Sequence, residues 1–283
     1  MIDFEIVTIA PPAVDYPEFR KRLRELSAYA KKIHYLFSFN SSIGSEIDYG
    51  DFIRNDIPFC NFIDIDVKYI NDHWYHAGLN LAVTNHCTSE YVLFIEPDFI
   101  VDIADLMSKI QNFSGDVLTY GVRPTIHPDS GTKMYPRISP AFFLAKRSLV
   151  LAAGADFREG TIVNYKHIEF NTDVSMNIVS APVDEPHLVD CFNKLTNSML
   201  SFTNNFELLC DYGVTNYYHY SGITHNFTLC RLGMFTTLHM AVEFMQYLKN
   251  NLDIVGINYD SRYIDKSNEY IAAIEASLQQ PPQ

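Results

Sequence analysis

Apolar residues along the chain follow two rhythms, and the changes of rhythm mark its elements. Residues 4–10 (FEIVTIA), 33–39 (IHYLFSF), 91–95 (YVLFI) and 141–145 (AFFLA) are short, nearly continuous apolar runs bounded by Pro or polar residues. Runs of that length and content predict strands buried on both faces of a sheet. Residues 60–67 (CNFIDIDV) alternate and predict a further strand, with others over 116–121 and 214–220. Phe19, Leu23, Leu26 and Ala30 recur instead at helical spacing and predict a helix over 17–32. Further helices are predicted over 73–86, 103–112, 146–153, 173–180, 187–202, 231–250 and 265–278. Segments 40–58 and 122–138 carry Gly, Pro and polar residues and are expected to be loops, the second long enough to order over a substrate.

Strands alternating with helices through the first two-thirds of the chain imply an α/β fold: a mainly parallel, doubly wound sheet flanked by helices. Such sheets bind ligands outside the carboxyl ends of their strands. The chain has 283 residues, so a domain over 1–230 with a C-terminal helical extension over 231–283 packed on it is expected.

Charge narrows the choice of partner. The formal net charge of −13 disfavours nucleic acid and anionic membranes, and an acidic protein accommodates an anionic ligand most readily through a cation. Cys60, Cys87, Cys191, Cys210 and Cys230 are widely spaced without a CxxC pair, which fits reduced thiols in the cytoplasm. The first residues read as a strand rather than a signal peptide, and no apolar run reaches the ~20 residues of a membrane span. The basic cluster Arg20, Lys21, Arg22 and Arg24 is expected on a solvated helix face.

The chemistry concentrates at YVLFIEPDF, residues 91–99. A buried strand delivers Glu96 and Asp98 to the ligand crevice, and Pro97 stops it. Two positions apart in extended chain, the two carboxylates would point the same way, as a hard cation requires. The alternative is a strand-ending turn with two solvated acids. On the preceding helix His73, His76, Asn80 and Thr84 share a polar stripe, suited to a sugar or a diphosphate, or else simply solvated.

Residues 76–99 (HAGLNLAVTNHCTSEYVLFIEPDF) resemble the core of family 2 and related GT-A glycosyltransferases. There a helix with a His/Arg–x–x–x–Asn pattern, here His76 and Asn80, leads into an apolar strand closed by Asp-x-Asp. Glu96 replaces the first Asp of that motif. The resemblance makes Asp98 and Glu96 metal ligands. The segment YYHYSGITH, residues 217–225, is similar to the family's His-x-x-Gly segment, which implies His219 as third ligand and Gly222 as the point of close approach to the diphosphate. The Lys-Pro-Trp that usually follows is absent, and His225 is the substitute it suggests. Residues 140–158 resemble the acceptor-side segment, which implies Asp173, or Glu169, as the base of an inverting reaction; Thr172 or Asp173 would equally serve as a helix N-cap. Ala10 and Pro11 after the first strand, and Asn40 after the second, stand where the nucleotide base and ribose dock in this fold.

The resemblance therefore implies a glycosyltransferase that moves a sugar from a UDP- or GDP-sugar to a hydroxyl acceptor, a glycan or small glycoside, with Mn2+ or Mg2+. A sugar nucleotidyltransferase would carry a Gly-rich basic loop after the first strand, where this chain has Pro11-Pro12-Ala13. A metal hydrolase using His73, His76, Glu96 and Asp98, and a non-catalytic nucleotide-sugar-binding protein, are the other readings.

Overall fold

The computed structural model describes residues 2–10, 14–39, 49–66, 74–120, 122–126, 134–139, 141–157, 160–170, 176–189, 192–209, 217–219 and 258–259. Its strands are β1 (Phe4–Ala10), β2 (Val14–Asp15), β3 (Lys32–Phe39), β4 (Asn61–Asp66), β5 (Tyr91–Ile95), β6 (Phe99–Val101), β7 (Val117–Thr119), β8 (Val122–Ile126), β9 (Met134–Ile138), β10 (Phe142–Lys146), β11 (Gly160–Phe170), β12 (Met176–Val189), β13 (Phe206–Leu208), β14 (Tyr217–His219) and β15 (Asn258–Tyr259). Its helices are α1 (Pro17–Leu26), α2 (Gly50–Asp56), α3 (Trp74–Leu81), α4 (Ile103–Asn112), α5 (Arg147–Ala152) and α6 (Asn193–Met199).

Seven strands form the central sheet in the order β13-β7-β10-β5-β1-β3-β4. All neighbours run parallel except β10, which is antiparallel to both β5 and β7. The expected α/β fold with a mainly parallel sheet is therefore the one observed. The inversion has a simple cause: antiparallel neighbours need no crossover helix, and among the described residues only β8 and β9 lie between β7 and β10.

Alternate residues of the strands feed two cores. Phe4, Ile6, Tyr35, Phe37, Leu93 and Ile95 face α1, α2 and α4 through Phe19, Leu23, Ile53, Leu106 and Ile110. Val7, Ile9, Leu36, Val92, Phe94 and Phe143 face α3, α5 and α6 through Leu79, Val150, Leu195 and Met199. With both faces covered, the inner strands are mostly apolar, β1 and β3 departing from this at Glu5, Thr8, Lys32, His34 and Ser38. Helix α3 packs closely on the sheet because residue 78 is glycine; a Cβ there would stand 2.7 Å from Ile65 Cδ1 and 2.8 Å from Ile9 Cδ1. A π turn, Ala82–His86, continues α3.

Several expectations are corrected. The 40–58 loop contains α2, a helix of 7 residues whose few apolar positions leave no periodicity to read. The 122–138 loop contains the antiparallel pair β8–β9. The helix expected over 173–180 is replaced from Met176 onward by β12, which pairs with β11 over Met176–Pro182 and again over His187–Val189. β-Branched and small residues there suit a strand better than a helix. The 187–202 helix shortens to α6, because residues up to Val189 belong to β12. α1 stops at Leu26, where Ser27 turns its hydroxyl back onto the Arg24 carbonyl. The helices expected over 231–250 and 265–278 lie outside the described residues. Of that region Asn258–Tyr259 is described, as a strand antiparallel to β2. No helix among the described residues is long and apolar enough to cross a membrane.

Candidate functional site

Strand β5 is buried along its whole length and ends at Ile95. The next four residues form a β-turn: the Phe99 N–H donates to the Glu96 carbonyl at 3.1 Å, with Pro97 at the position whose fixed φ favours such turns. Glu96 and Asp98 thus bracket a turn and are not in extended chain as expected; proline preorganises the reversal. The Glu96 N–H is tied to Ala141 O of the neighbouring antiparallel segment at 2.9 Å. Glu96 is half-buried, whereas Asp98 is 1% exposed. The alternative of two solvated acids is thereby excluded for Asp98.

From the turn the chain enters β6, and β6 pairs antiparallel with β14. The register sets His219 against Phe99, Tyr218 against Ile100 and Tyr217 against Val101. Directly paired residues in an antiparallel ladder have Cα atoms about 4.5–5.5 Å apart. The backbone of His219 therefore lies beside the residue that follows Asp98, although 121 positions of sequence separate the two residues (219 − 98). The backbone positions of Asp98 and His219 are thus neighbours beyond the carboxyl end of β5, with Glu96 two residues before Asp98. Oxygen and imidazole donors in that combination suit Mn2+ or Mg2+ with phosphate oxygens completing the shell.

The other candidate positions divide as follows. Ala10 is fully buried at the end of β1, opposite Phe37 of β3. His76 and Asn80 lie on α3; Asn80 Oδ1 is buried and finds no hydrogen-bond partner among the described residues. Thr84 is exposed and folds its hydroxyl onto Asn80 O at 2.7 Å. Glu169 lies in β11, opposite Asn177 of β12. Pro11, Asn40, His73, Thr172, Asp173, Gly222 and His225 lie outside the described residues. With β12 in place of the expected helix from Met176, the helix that Thr172 or Asp173 was to cap is not there.

The basic cluster of α1 is a solvated face at Lys21 and Arg24 but not at Arg20 and Arg22. Arg20 is 7% exposed and grips Asp15 in a two-pronged ion pair, Nε to Oδ1 at 2.7 Å and Nη2 to Oδ2 at 3.1 Å, while its other nitrogen meets Asp56. Arg22 reaches the acidic turn: its Nη2 donates to the Pro97 carbonyl at 3.2 Å. Burial pulls the Arg22 pKa down to about 10, against the opposing pull of Glu18, Asp98 and Glu25. The sequence carries a signal for this, since Arg22 stands three positions after Phe19 and four before Leu26, on the edge of the buried stripe. Lys21 and Arg24 remain exposed.

A second polar cluster sits at the opposite, amino end of the sheet. Glu5, 1% exposed, accepts from Thr88 N (3.2 Å), Thr88 Oγ1 (2.9 Å), Ser89 Oγ (3.2 Å) and His34 Nε2 (2.9 Å). Asn61 donates to His34 Nδ1 at 3.0 Å, so the neutral His34 carries its proton on Nε2. Burial would raise the Glu5 pKa, but the hydrogen bonds from His34 and Thr88 outweigh it and hold the carboxyl below its ordinary value. Burial also depresses His34, which stays neutral. Potential ligand atoms of Glu5, His34 and Cys87 lie within 4.8 Å of one another. Burial and the Glu5 charge push the Cys87 thiol well up, so it is protonated, and Glu5 is saturated by hydrogen bonds. This cluster ties β1, β3, β4 and the entry to β5 together; it is a structural network.

No protein-family model matches the chain, and no characterised protein matches it in sequence. Among solved structures the chain is similar to residues 1–349 of TarS from S. aureus, at 10% identity, covering 89% of this chain and 72% of that one, with a TM-score of 0.41. It is also similar to glucosyl-3-phosphoglycerate synthase from Mycobacterium tuberculosis in complex with Mn2+, UDP and phosphoglyceric acid (12% identity, 53% of this chain and 58% of that one, TM-score 0.36). A third is the galactosyltransferase LgtC in complex with donor and acceptor sugar analogues (10% identity, 50% and 58%, TM-score 0.34).

Proposed function

We propose that the protein is a divalent-metal-dependent glycosyltransferase that takes its sugar from a nucleoside diphosphate donor, UDP- or GDP-sugar, and passes it to a hydroxyl of a glycan or small glycoside. One observation carries the reading: a buried Asp98 in the turn at the carboxyl end of the central strand, with His219 registered against the very next residue. Asp98, Glu96 and His219 would hold Mn2+ or Mg2+, which when bound offsets the charge that builds on a departing diphosphate. The chain's own residues do the rest. The turn holds its two acids at the crevice, and Pro97 keeps them from reorganising as charge develops. Ala10, Pro11 and Asn40, at or just beyond the ends of β1 and β3, stand where the nucleoside would dock. Gly222 and His225, a few residues beyond β14, are assigned to the diphosphate. His76 and Asn80 are assigned to the sugar, the unpartnered Asn80 oxygen being an acceptor that a sugar hydroxyl would satisfy. For an inverting reaction Asp173 or Glu169 is the proposed base; neither is needed if the anomeric configuration is retained.

A thermal-shift panel of UDP-, GDP-, CDP- and dTDP-sugars, with and without Mn2+, tests the reading. A donor at a hundred times its Kd adds about 2.7 kcal/mol, which in a chain of this size raises Tm by roughly 5–10 °C. The shift is expected only with metal present, to vanish in Asp98→Asn, and to be accompanied by nucleotide release that depends on added acceptor. No shift with any donor in the presence of Mn2+ would refute it. A metal-dependent shift without turnover on any acceptor would reduce the protein to a binding module.

A further inference from the structure

Arg22 stands out among the charged groups because burial opposes its charge while its head is turned to the acidic turn. Its Nε is buried without a hydrogen-bond partner among the described residues, and the bond described for its head is the one from Nη2 to the Pro97 carbonyl. A buried donor left unpaired is unfavourable, and an apolar side chain of similar volume would lack that penalty. Among the described residues the guanidinium lies over the Phe19 ring, 5.8 Å from its centroid, and its hydrogen bond goes to the pivot of the acidic turn. In a β-turn the central peptide, here Pro97–Asp98, can face either of two ways. The flipped form demands a positive φ at the third residue, which for Asp98 is strained. Asp98 has no positive φ; among the described non-glycine residues only Ala155 and Phe192 do. The Pro97 carbonyl held by Arg22 is the oxygen that would swing in such a flip, and with it the direction of the Asp98 side chain.

We infer that Arg22 is a positioning residue for the proposed metal and diphosphate site: its guanidinium, by holding the Pro97 carbonyl, locks the Glu96-Pro97-Asp98 turn in the one orientation that presents Asp98. It also places a fixed positive charge next to a buried carboxylate. This rests on the glycosyltransferase reading, which supplies the use of the turn, and it adds a role for helix α1 that reading does not contain. Arg22 acts through the turn and touches no reacting atom.

The test compares the wild type with Arg22→Met and Arg22→Lys. Tm is measured without ligand, and Kd by calorimetry, for Mn2+ together with whichever of UDP, GDP, CDP or dTDP shifts the wild type most. Removing a support of a metal ligand costs about 10-fold to 100-fold in affinity. Arg22→Met is expected to show that loss with Tm unchanged or raised, because the unpaired buried donor is gone. Arg22→Lys, which keeps the charge and one donor, is expected to recover part of it. Wild-type affinity in Arg22→Met overturns the inference, as does a fall in Tm with affinity intact, the mark of a structural prop. Should Arg22→Met fail to fold, Arg22→Lys decides: weakened affinity at wild-type Tm supports the inference and wild-type affinity overturns it. A wild type that responds to none of the four nucleotides refutes the glycosyltransferase reading itself, an outcome distinct from both.

Discussion

Replacing Glu5 by alanine removes the acceptor that four donors share at the amino end of the sheet. Two of them, the Thr88 amide and hydroxyl, belong to an exposed residue and can turn to water. The Ser89 hydroxyl, 3% exposed, keeps its second bond to Asp3. His34 has no such recourse: it is wholly buried, Asn61 occupies its other nitrogen, and its Nε2–H loses its only described acceptor. One fully orphaned donor costs about 1–3 kcal/mol, and the partly compensated groups and the void add to it. The sum is about 3 kcal/mol, comparable to the low end for breaking a buried charged pair. Urea unfolding at pH 7.5 measures it. The pH dependence supplies an independent check. Glu5 is depressed from its ordinary 4.5, so its contribution is present above that value and is lost as pH falls through the folded pKa. His34 is depressed from 6.5, so its contribution is present above 6.5 and is lost as pH falls below it. Wild-type stability should therefore fall in two stages on acidification, and Glu5→Ala should lack the lower one. A loss under about 1 kcal/mol, or an unchanged acid limb, would refute the network. The proposed metal-dependent nucleotide response should survive in this variant, because Glu5 sits at the opposite end of β1 from the acidic turn.

Two further substitutions probe the frame around the site. Gly78→Ala drives a methyl into Ile65 and Ile9; even after the helix-propensity gain it should cost about 1–2 kcal/mol, read from the urea midpoint. Asp102→Ala removes the side-chain cap that accepts from Asp105 N at 2.9 Å, and should lower stability by about 1 kcal/mol in the same assay, with nucleotide binding unchanged.

Which parts of this protein are readable from its sequence follows from where the determining contacts lie. β1, β3 and β5 announce themselves because burial on both faces makes most positions apolar, Glu5 and His34 being the buried exceptions that pair with each other. α4 does so because Leu106, Met107 and Ile110 repeat on one face above an Asp102 cap. The end of β5 is legible because Pro97 acts locally, whereas the turn that follows it is expected as extended chain. What escapes is set by distant partners. Nothing near residue 173 says that 176–189 will find a partner strand in 160–170, and short-range helical spacing wins the reading by default. Nothing near Arg22 mentions Pro97, 75 positions away (97 − 22). Its placement on the stripe edge is a hint that a count of charges alone passes over. The meeting of His219 with the acidic turn is suggested by resemblance; the register of β14 on β6 is a fact of the tertiary structure.

That short ladder has a kinetic corollary. During synthesis the two acids emerge long before the histidine, so the proposed cation site would stay incomplete until the final quarter of the chain is made. In the finished protein a three-residue ribbon is easily peeled from its neighbour while the seven-stranded slab stays intact. In the proposed site, cation retention and global melting would thus be separable.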